Sequence, residues 1–194
     1  MGNGKENGAA VIVHTCNRKE PLCEIPGDTL AGQDLSNKEL REAYLVDHDI
    51  AHASFRNAKL QFADLTSAHG EHACFDDAVG EETQFGAAEL PQASFQNYNG
   101  PQTNFGKAVI PESDFTGAHL EGSNFTDTDA PGAQFCGTHF GNSTLWRGKF
   151  RGADFTGAHT DEIEDSGLMG IDVTDAILDP PFAERIRKVN NDSM

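Results

Sequence analysis

Three histidines stand twenty residues apart in the second half of the chain, at His119, His139 and His159. In a chain that coils with a twenty-residue period, their rings would stack about 4.8 Å apart on one surface. Imidazole nitrogens are common Zn²⁺ ligands, so this column is a candidate metal site. Earlier members of the same column are varied: Lys59, Val79 and Asn99. The alternative interpretation is therefore a position that tolerates polar side chains, and a ladder of rigid backbones fits tetrahedral geometry poorly.

A second candidate is Trp146, which is followed by the cations Arg147, Lys149 and Arg151. Trp146 directly follows an apolar position of the pattern described below, so its ring should point outward. An exposed Trp beside cations is a typical contact residue of protein interfaces. The alternative is a ring that lies flat on its own wall.

Enzymatic signatures are missing from the sequence. It contains no nucleophile elbow, no phosphate-binding loop and no His-Glu-x-x-His metal helix. Its carboxylates are numerous, but a catalytic pair needs a concave, partly dry pocket to separate the two pKa values. We predict a protein that is not an enzyme and that has no cofactor.

The elements that position all these side chains follow from a period of five. From Leu30 to Phe155, every fifth residue is mostly Leu, Ile or Phe, and the register never slips. Two residues before each of these stands a mostly small residue, such as Ala63 before Leu65. A period of five is neither helical nor a plain strand alternation. The chain is therefore built from an internal repeat.

Each repeat should contain one short extended side and one corner. Residues two apart point the same way in an extended segment, and pairs such as Pro131-Gly132 favour type II turns. When the large residues are grouped by their position in a twenty-residue period, the aromatic rings fall on two opposite walls of a four-sided coil. Tyr98 is large at a position that is usually small, and the missing side chain of Gly100 offsets its volume. The predicted interior core contains nine rings: Phe55, Phe75, Phe85, Phe95, Phe105, Phe115, Phe125, Phe135 and Phe155.

This pattern resembles the pentapeptide-repeat family, whose repeat is small, Asp or Asn, Leu or Phe, polar, Gly. It is read as ADLTS at 63–67, SDFTG at 113–117, SNFTD at 123–127 and ADFTG at 153–157. The resemblance implies an all-β fold, a right-handed quadrilateral β-helix, or β-solenoid. About seven coils at about 4.8 Å each would fit the repeat region. The resemblance also implies that some relatives protect DNA gyrase from quinolones by presenting a rod in place of DNA.

The pattern also predicts the boundaries of the domain. We assign 1–26 to an N-terminal tail and cap, 27–160 to the β-helix, 161–179 to a loop and last partial coil, and 180–194 to a C-terminal capping helix and tail. A segment that covers the end is expected because an open coil exposes apolar surface and unpaired edges. The early inward positions are polar, so we expect well-formed coils only from about Ala43. The polar residues are Asp28, Gln33, Lys38 and His48.

The C-terminal segment has two interpretations. Phe182, Ile186 and Val189 are spaced for one face of a short helix. That face either caps the open end of the coil or forms a homodimer, as in the gyrase-protecting members of the resembled family.

Charge is the strongest indication of function. Lys and Arg number 14 against 31 Asp and Glu, for a net charge of −17, which makes nucleic acid and anionic membranes poor direct partners. Between Leu60 and Trp146 the only basic residue is Lys107. We predict a scaffold that binds proteins. The alternative is a DNA mimic that binds and protects or inhibits DNA gyrase. The partner-binding candidates are Asp76, Asp77, Glu81, Glu82, Glu112, Glu121, Asp127, Asp129 and Trp146.

The remaining expectations concern location and thiols. No apolar run is long enough to cross a membrane, and the start lacks a signal-peptide core, so we expect a cytoplasmic protein with reduced cysteines. Cys74 and Cys136 should lie too far apart for a disulfide. A bridge between Cys16 and Cys23 stays open.

Overall fold

The computed structural model describes the backbone of Cys23–Glu24 and all of residues 29–191. Two short parallel strands, β1 (Cys23–Glu24) and β2 (Ala43–Tyr44), pair with Cys23 beside Ala43. A 3₁₀ turn covers Asp165–Leu168, and helix α1 covers Pro180–Asn191. The rest of the predicted N-terminal tail and cap at 1–26 lies outside these residues, and because Cys16 does too, its bridge to Cys23 stays open.

The rest of the fold is a ladder of single-residue parallel bridges. Each bridge joins residues twenty apart and recurs every fifth residue, from Thr29 with Asp49 to His139 with His159. In the ladder the Phe55 N–H donates to the Cys74 carbonyl over 2.7 Å. One turn of the coil therefore takes twenty residues, and the predicted β-helix is confirmed. Extended pieces of one or two residues give few long strands, because every repeat turns a corner.

The corners are left-handed at their second residue in nearly every repeat. Twenty non-glycine residues there have φ between 54° and 63°, and glycines such as Gly117 and Gly132 take the same conformation. Pro91 and Pro111 each precede such a residue. A proline followed by a positive φ is the arrangement of a type II turn. The ladder enforces this conformation even at Phe62.

Aromatic rings fill the interior in two columns. The nine phenylalanines assigned to the core are at most 1% exposed. In the first column, from Phe55 to Phe155, successive ring centroids are 4.6 to 5.1 Å apart. The rings of the second column meet them edge-on, with Phe85 5.5 Å from Phe95 at 87°. Offset stacks and edge-to-face pairs are the favoured aromatic geometries.

Buried hydroxyls fit this interior because they find backbone acceptors. Thr128 donates to the Phe105 carbonyl over 2.7 Å, and Thr138 and Ser113 make the corresponding bonds to Phe115 and Leu90. In each of these pairs the acceptor lies 23 residues earlier. A paired hydroxyl avoids the cost of burying an unsatisfied polar group.

The ladder begins earlier than the polar residues of the first repeats suggested. Regular bridges are present from Thr29, not only from Ala43. Lys38 is exposed and His48 is half-buried, with its Nδ1 3.0 Å from the Val46 carbonyl oxygen. These side chains therefore do not enter a dry interior, so they do not disturb the coil.

The last coil contains three extra residues. Lys149 pairs with Asp172 and Asp154 with Ile177, a spacing of 23 instead of 20. The 3₁₀ turn lies in this longer coil, within the segment 161–179 that we assigned to a loop and last partial coil. The ladder then ends, and α1 begins at Pro180, a favoured first helical residue.

Helix α1 covers the end of the coil with its apolar face. Phe182, Ile186 and Val189 are buried, and the Phe182 ring lies 5.5 Å from that of Phe155. Arg185 donates to the carbonyls of Thr160 and Ile163. The apolar residues of the helix are thus occupied within the chain.

Candidate functional site

One corner of the coil carries exposed carboxylates on alternate turns. We call it the acidic edge, and define it as Glu81, Glu82, Glu121, Asp161 and Glu162. These residues occupy the same two corner positions, forty residues apart, and all but the half-buried Glu121 are exposed. Within residues 29–191, no Lys or Arg side chain forms an ion pair with a carboxylate of this edge. Apart from Glu121, whose carboxylate lies 3.4 Å from His119 Nδ1, the edge therefore presents unpaired negative charge to solvent.

Besides Asp76, three of the predicted partner-binding acids are paired with cations. Asp77 lies 3.4 Å from Arg56, Asp127 lies 2.6 Å from Arg147, and Asp129 lies 3.8 Å from Lys149. A paired carboxylate contributes little field at a distance, because the two charges cancel beyond the pair and salt screens the rest. These acids contribute less to the exterior field than the sequence count suggested.

Asp76 is not an exposed contact residue. It is only 6% exposed and forms an ion pair with Arg56 at 2.6 Å. Its other oxygen accepts hydrogen bonds from the Ser94 hydroxyl and, at 3.1 Å, from the Gln96 N–H. Asp76 therefore has a structural role, since its carboxylate connects its own coil to the coil before it and the coil after it.

Glu112 remains exposed but lies on a different corner. Its carboxylate accepts a hydrogen bond from Gln92 Nε2 at 2.7 Å, one coil earlier. The surface acids thus fall into one edge with carboxylates on alternate turns and several isolated positions.

Trp146 is exposed, as its place after an apolar position predicts. Its exposed fraction is 39%, and the Arg147 guanidinium carbon lies 4.6 Å from the ring centroid. Arg147 is the same residue that pairs with Asp127. The indole lines a shallow groove with Thr144 and Met169, which the extra residues of the last coil create. The ring thus faces solvent with Arg147 over it, and a role of Trp146 as a contact residue stays a prediction.

The three histidines form a stacked column on the surface. Ring centroids are 4.5 Å apart for His119 and His139, and 4.1 Å apart for His139 and His159. Burial lowers the pKa of His139, and the neighbouring His159 and His119 lower it further. Neutral imidazoles have a free nitrogen lone pair, which is the form that binds metals.

Glu121 joins this column, which sequence reasoning did not anticipate. Its carboxylate lies 3.4 Å from His119 Nδ1. The two side chains flank the buried Leu120, and residues two apart project to the same side of an extended segment. The same period of two could have revealed the pair in the sequence.

The described thiols are poor nucleophiles. Cys74 and Cys136 are both free, and burial raises the pKa of each thiol. A thiol becomes reactive when its pKa is lowered, so these cysteines lack the environment of a catalytic residue. In the part of the chain that the structure describes, no helix has the length and apolar character needed to cross a bilayer.

A coil of twenty-residue turns with a ring-filled interior defines a solenoid of five-residue repeats. A family model described as "Pentapeptide repeats (8 copies)" matches this chain at residues 34–69, 108–142 and 118–157. The ladder also runs without a break through the residues between these matches. The chain belongs to the pentapeptide-repeat family, whose fold is a right-handed β-helix. Such proteins are generally structural or binding proteins.

Several solved structures of pentapeptide repeat proteins are similar to this chain at low sequence identity. A pentapeptide repeat protein (Rfr23) from the cyanobacterium Cyanothece 51142 is 21% identical over 50% of this chain and 64% of its own, with a TM-score of 0.47. This chain thus spans less than two thirds of that protein. QnrB1, a plasmid-mediated fluoroquinolone resistance protein, is 17% identical over 86% of this chain and 93% of its own, with a TM-score of 0.40.

HetL is a third example, a pentapeptide repeat protein involved in heterocyst differentiation regulation in Nostoc sp. strain PCC 7120. It is 16% identical over 75% of this chain and 86% of its own, with a TM-score of 0.29. A search of curated proteins found no match.

Proposed function

We propose that this protein is a non-enzymatic scaffold that binds a protein partner through its acidic edge. The observation that carries the proposal is the exposed charge of Glu81, Glu82 and Glu162 on a rigid exterior, where the described ion pairs include none of these three carboxylates. A partner with a complementary basic surface would be attracted over about one Debye length, some 8–10 Å at moderate salt. Binding through this edge should therefore be fast and sensitive to salt.

The shape of the molecule suits such binding. We propose a four-sided cross-section and about seven coils, which at about 4.8 Å per coil give a rod somewhat over 30 Å long. Stacked rings such as Phe95 and Phe115, 4.6 Å apart, fill its interior. A rigid surface loses little conformational entropy on binding, so more of the interaction energy appears as affinity.

The partner should be a protein that presents clustered Lys and Arg. Proteins that bind nucleic acid have such surfaces, because they contact phosphates. We propose this class of partner for the acidic edge. The chain itself is a poor direct ligand for nucleic acid because its net charge is −17.

A reversal of charge on the edge tests the proposal. Glu81→Lys with Glu82→Lys changes the net charge by about four units, and both side chains are exposed. The matched control is Asp175→Lys with Glu184→Lys, which changes the net charge equally at exposed positions outside the edge. Affinity capture from the native host should retain the partner with the wild type and the control, and lose it with the edge variant. Equal retention by all three proteins would refute binding through the edge.

A second candidate is mimicry of DNA towards DNA gyrase. The rod is close in length to one turn of B-DNA, about 34–36 Å, and its acidic edge would compete for a groove built for phosphates. Purified gyrase should then supercoil DNA more slowly in the presence of the protein. The inhibition should weaken with rising salt and in the edge variant. No inhibition by a large excess of protein at low salt would exclude gyrase and leave the scaffold proposal intact.

For helix α1 we propose capping as its role. Its apolar residues Phe182, Ile186 and Val189 are already buried against the end of the coil. A homodimer through this segment would have to use the polar face of the helix. We therefore expect a monomer in analytical ultracentrifugation, and a dimer that dissociates when Arg187 and Lys188 are replaced would contradict this.

A further inference from the structure

We propose that His119, Glu121 and His139 form a binding site for one divalent transition-metal ion of the Zn²⁺ type. One donor atom of each residue lies within 4.8 Å of the other two. Among the described residues, this is the one group of three His, Cys, Asp or Glu side chains with that property. The site involves two successive coils, since His119 and Glu121 belong to one and His139 to the next.

The spacing of the first two ligands already suits a metal. Zn–N and Zn–O bonds of about 2.0–2.1 Å in a tetrahedron place neighbouring donor atoms about 3.3–3.4 Å apart. His119 Nδ1 and Glu121 Oε1 are separated by 3.4 Å. Because these two side chains are about half exposed, they can rotate towards His139 without disturbing the interior.

The ladder brings the third ligand into place. His119 and His139 are bridge partners, so their backbones are held side by side, and their rings are stacked with centroids 4.5 Å apart. Bringing their nitrogens onto one ion requires rotation of side chains and no movement of the backbone. Two imidazoles and one carboxylate are a donor set that binds Zn²⁺ with an open fourth position.

Space next to the site is provided by Gly141. It follows Glu121 by one coil, and a Cβ at this position would lie 2.8 Å from Glu162 Oε2 and 3.4 Å from Glu121 Cγ. The missing side chain leaves a cleft lined by Glu121, His139, His159 and Asp161. A water molecule or the fourth ligand, such as His159, has access to the ion from this cleft.

The chain contains an internal comparison that separates this site from ordinary stacked histidines. His52 and His72 also stack on successive coils, with ring centroids 5.1 Å apart, and Glu71 lies 3.8 Å from His72. These three residues do not bring three donor atoms together within the same distance. A metal ion should therefore distinguish the two columns.

The test is equilibrium dialysis of the full chain, without an affinity tag, against Zn²⁺. The wild type should bind one equivalent more than His139→Ala and one more than Glu121→Gln, whereas His72→Ala should match the wild type. The difference between proteins removes any contribution from the His and Cys residues outside the described part of the chain. Glu121→Gln keeps the size of the side chain, so it gives an answer even if His139→Ala folds poorly.

The geometry is tested by substitution with Co²⁺. The wild type and His72→Ala should show the intense visible absorption of Co²⁺ with four or five ligands, and His139→Ala and Glu121→Gln should lack it. Equal Zn²⁺ stoichiometry in all four proteins would overturn the proposal. So would an equal loss of Zn²⁺ in His72→Ala and His139→Ala.

Discussion

The hydroxyl of Tyr98 donates a hydrogen bond to the carbonyl oxygen of Gly80 over 3.2 Å, inside the coil. Tyr98 is fully buried at a position where most repeats have Ala, Ser or Thr. A Cβ at Gly80 would lie 1.9 Å from this hydroxyl, and a Cβ at Gly100 would lie 2.0 Å from the ring. One large residue is thus accommodated by two glycines, Gly100 two residues later on the same side of the coil and Gly80 one coil earlier.

Gly100→Ala should therefore destabilise the fold strongly, through overpacking that typically costs about 1–3 kcal/mol or more. Tyr98→Ala should cost about 3–5 kcal/mol because it leaves a cavity. The double variant should be more stable than the sum of the two effects predicts, since the added methyl enters the space that the ring vacates. Urea denaturation of the four proteins checks this, and strict additivity would contradict the packing described here.

Tyr98 should also make stability depend on alkaline pH. Burial raises the pKa of Tyr98 to about 12, whereas an unfolded tyrosine has a pKa near 10. Between these values the unfolded chain loses the proton that the folded chain retains. The free energy of unfolding should therefore fall between about pH 10 and pH 12, by about 2–3 kcal/mol.

The matched variant for this experiment is Tyr98→Phe, which cannot ionise. Its urea midpoint should change less than that of the wild type between pH 9 and pH 11.5. Parallel curves for the two proteins would show that Tyr98 does not titrate differently on folding.

Truncation of an interior ring should be costly, while truncation at the corner beside it should not. Phe115 is fully buried in the aromatic column, and Thr116 is exposed. Phe115→Ala should cost about 3–5 kcal/mol, and Thr116→Ala less than about 0.5 kcal/mol. Comparable urea midpoints for the two variants would mean that the ring does not lie in the interior.

Left-handed corners predict a stabilising substitution. Ala87 is exposed with φ of 55°, a conformation that costs a non-glycine residue about 1–2 kcal/mol. Ala87→Gly should raise the free energy of unfolding by about 0.5–1 kcal/mol after the entropic cost of glycine. Ala31, exposed at the first corner position, is the control. Ala31→Gly should destabilise by about 0.5 kcal/mol, and a loss of stability in both variants would contradict the strained corner.

Asp76 and Asp77 are adjacent acids with different expected roles. Asp76→Asn weakens the ion pair with Arg56 and the bonds from Ser94 and Gln96, so it should cost about 1–3 kcal/mol. Asp77→Asn affects only exposed contacts, the ion pair with Arg56 and a hydrogen bond from Asn97, and should cost less than about 1 kcal/mol. Thermal denaturation at neutral pH compares the two, and equal losses would show that burial of Asp76 carries no extra stability.

The interior and the corners could be predicted because they depend on side-chain size and on the period. A phenylalanine such as Phe55 or Phe75 recurs every twenty residues. The large Tyr98 is balanced by the small Gly100 within the same coil, so the balance of side-chain volumes can be predicted from neighbouring residues in the sequence. The left-handed conformation of Phe62 and Lys107 is not indicated by their residue types. It arises because ladder bonds on both sides of the corner outweigh local preference.

The surface was harder to predict, because its chemistry depends on partners twenty residues away. The sequence predicts Asp76 as an exposed acid, whereas in the structure it forms an ion pair with Arg56, which lies one coil earlier. Glu121 counted only as charge, although its distance from His119 makes it a ligand candidate. The twenty-residue period predicts which residues lie side by side on successive coils, but side-chain rotamers decide which of them are in contact.

The most direct measurement of the central claim is the affinity of the captured partner for three proteins at low and raised salt. The proteins are the wild type, the edge variant Glu81→Lys with Glu82→Lys, and the control Asp175→Lys with Glu184→Lys. We predict that the wild type and the control bind alike and weaken together as salt rises, and that the edge variant binds at least about tenfold more weakly, about 1.4 kcal/mol. Equal affinity of all three proteins, unchanged by salt, would contradict a function based on the acidic edge.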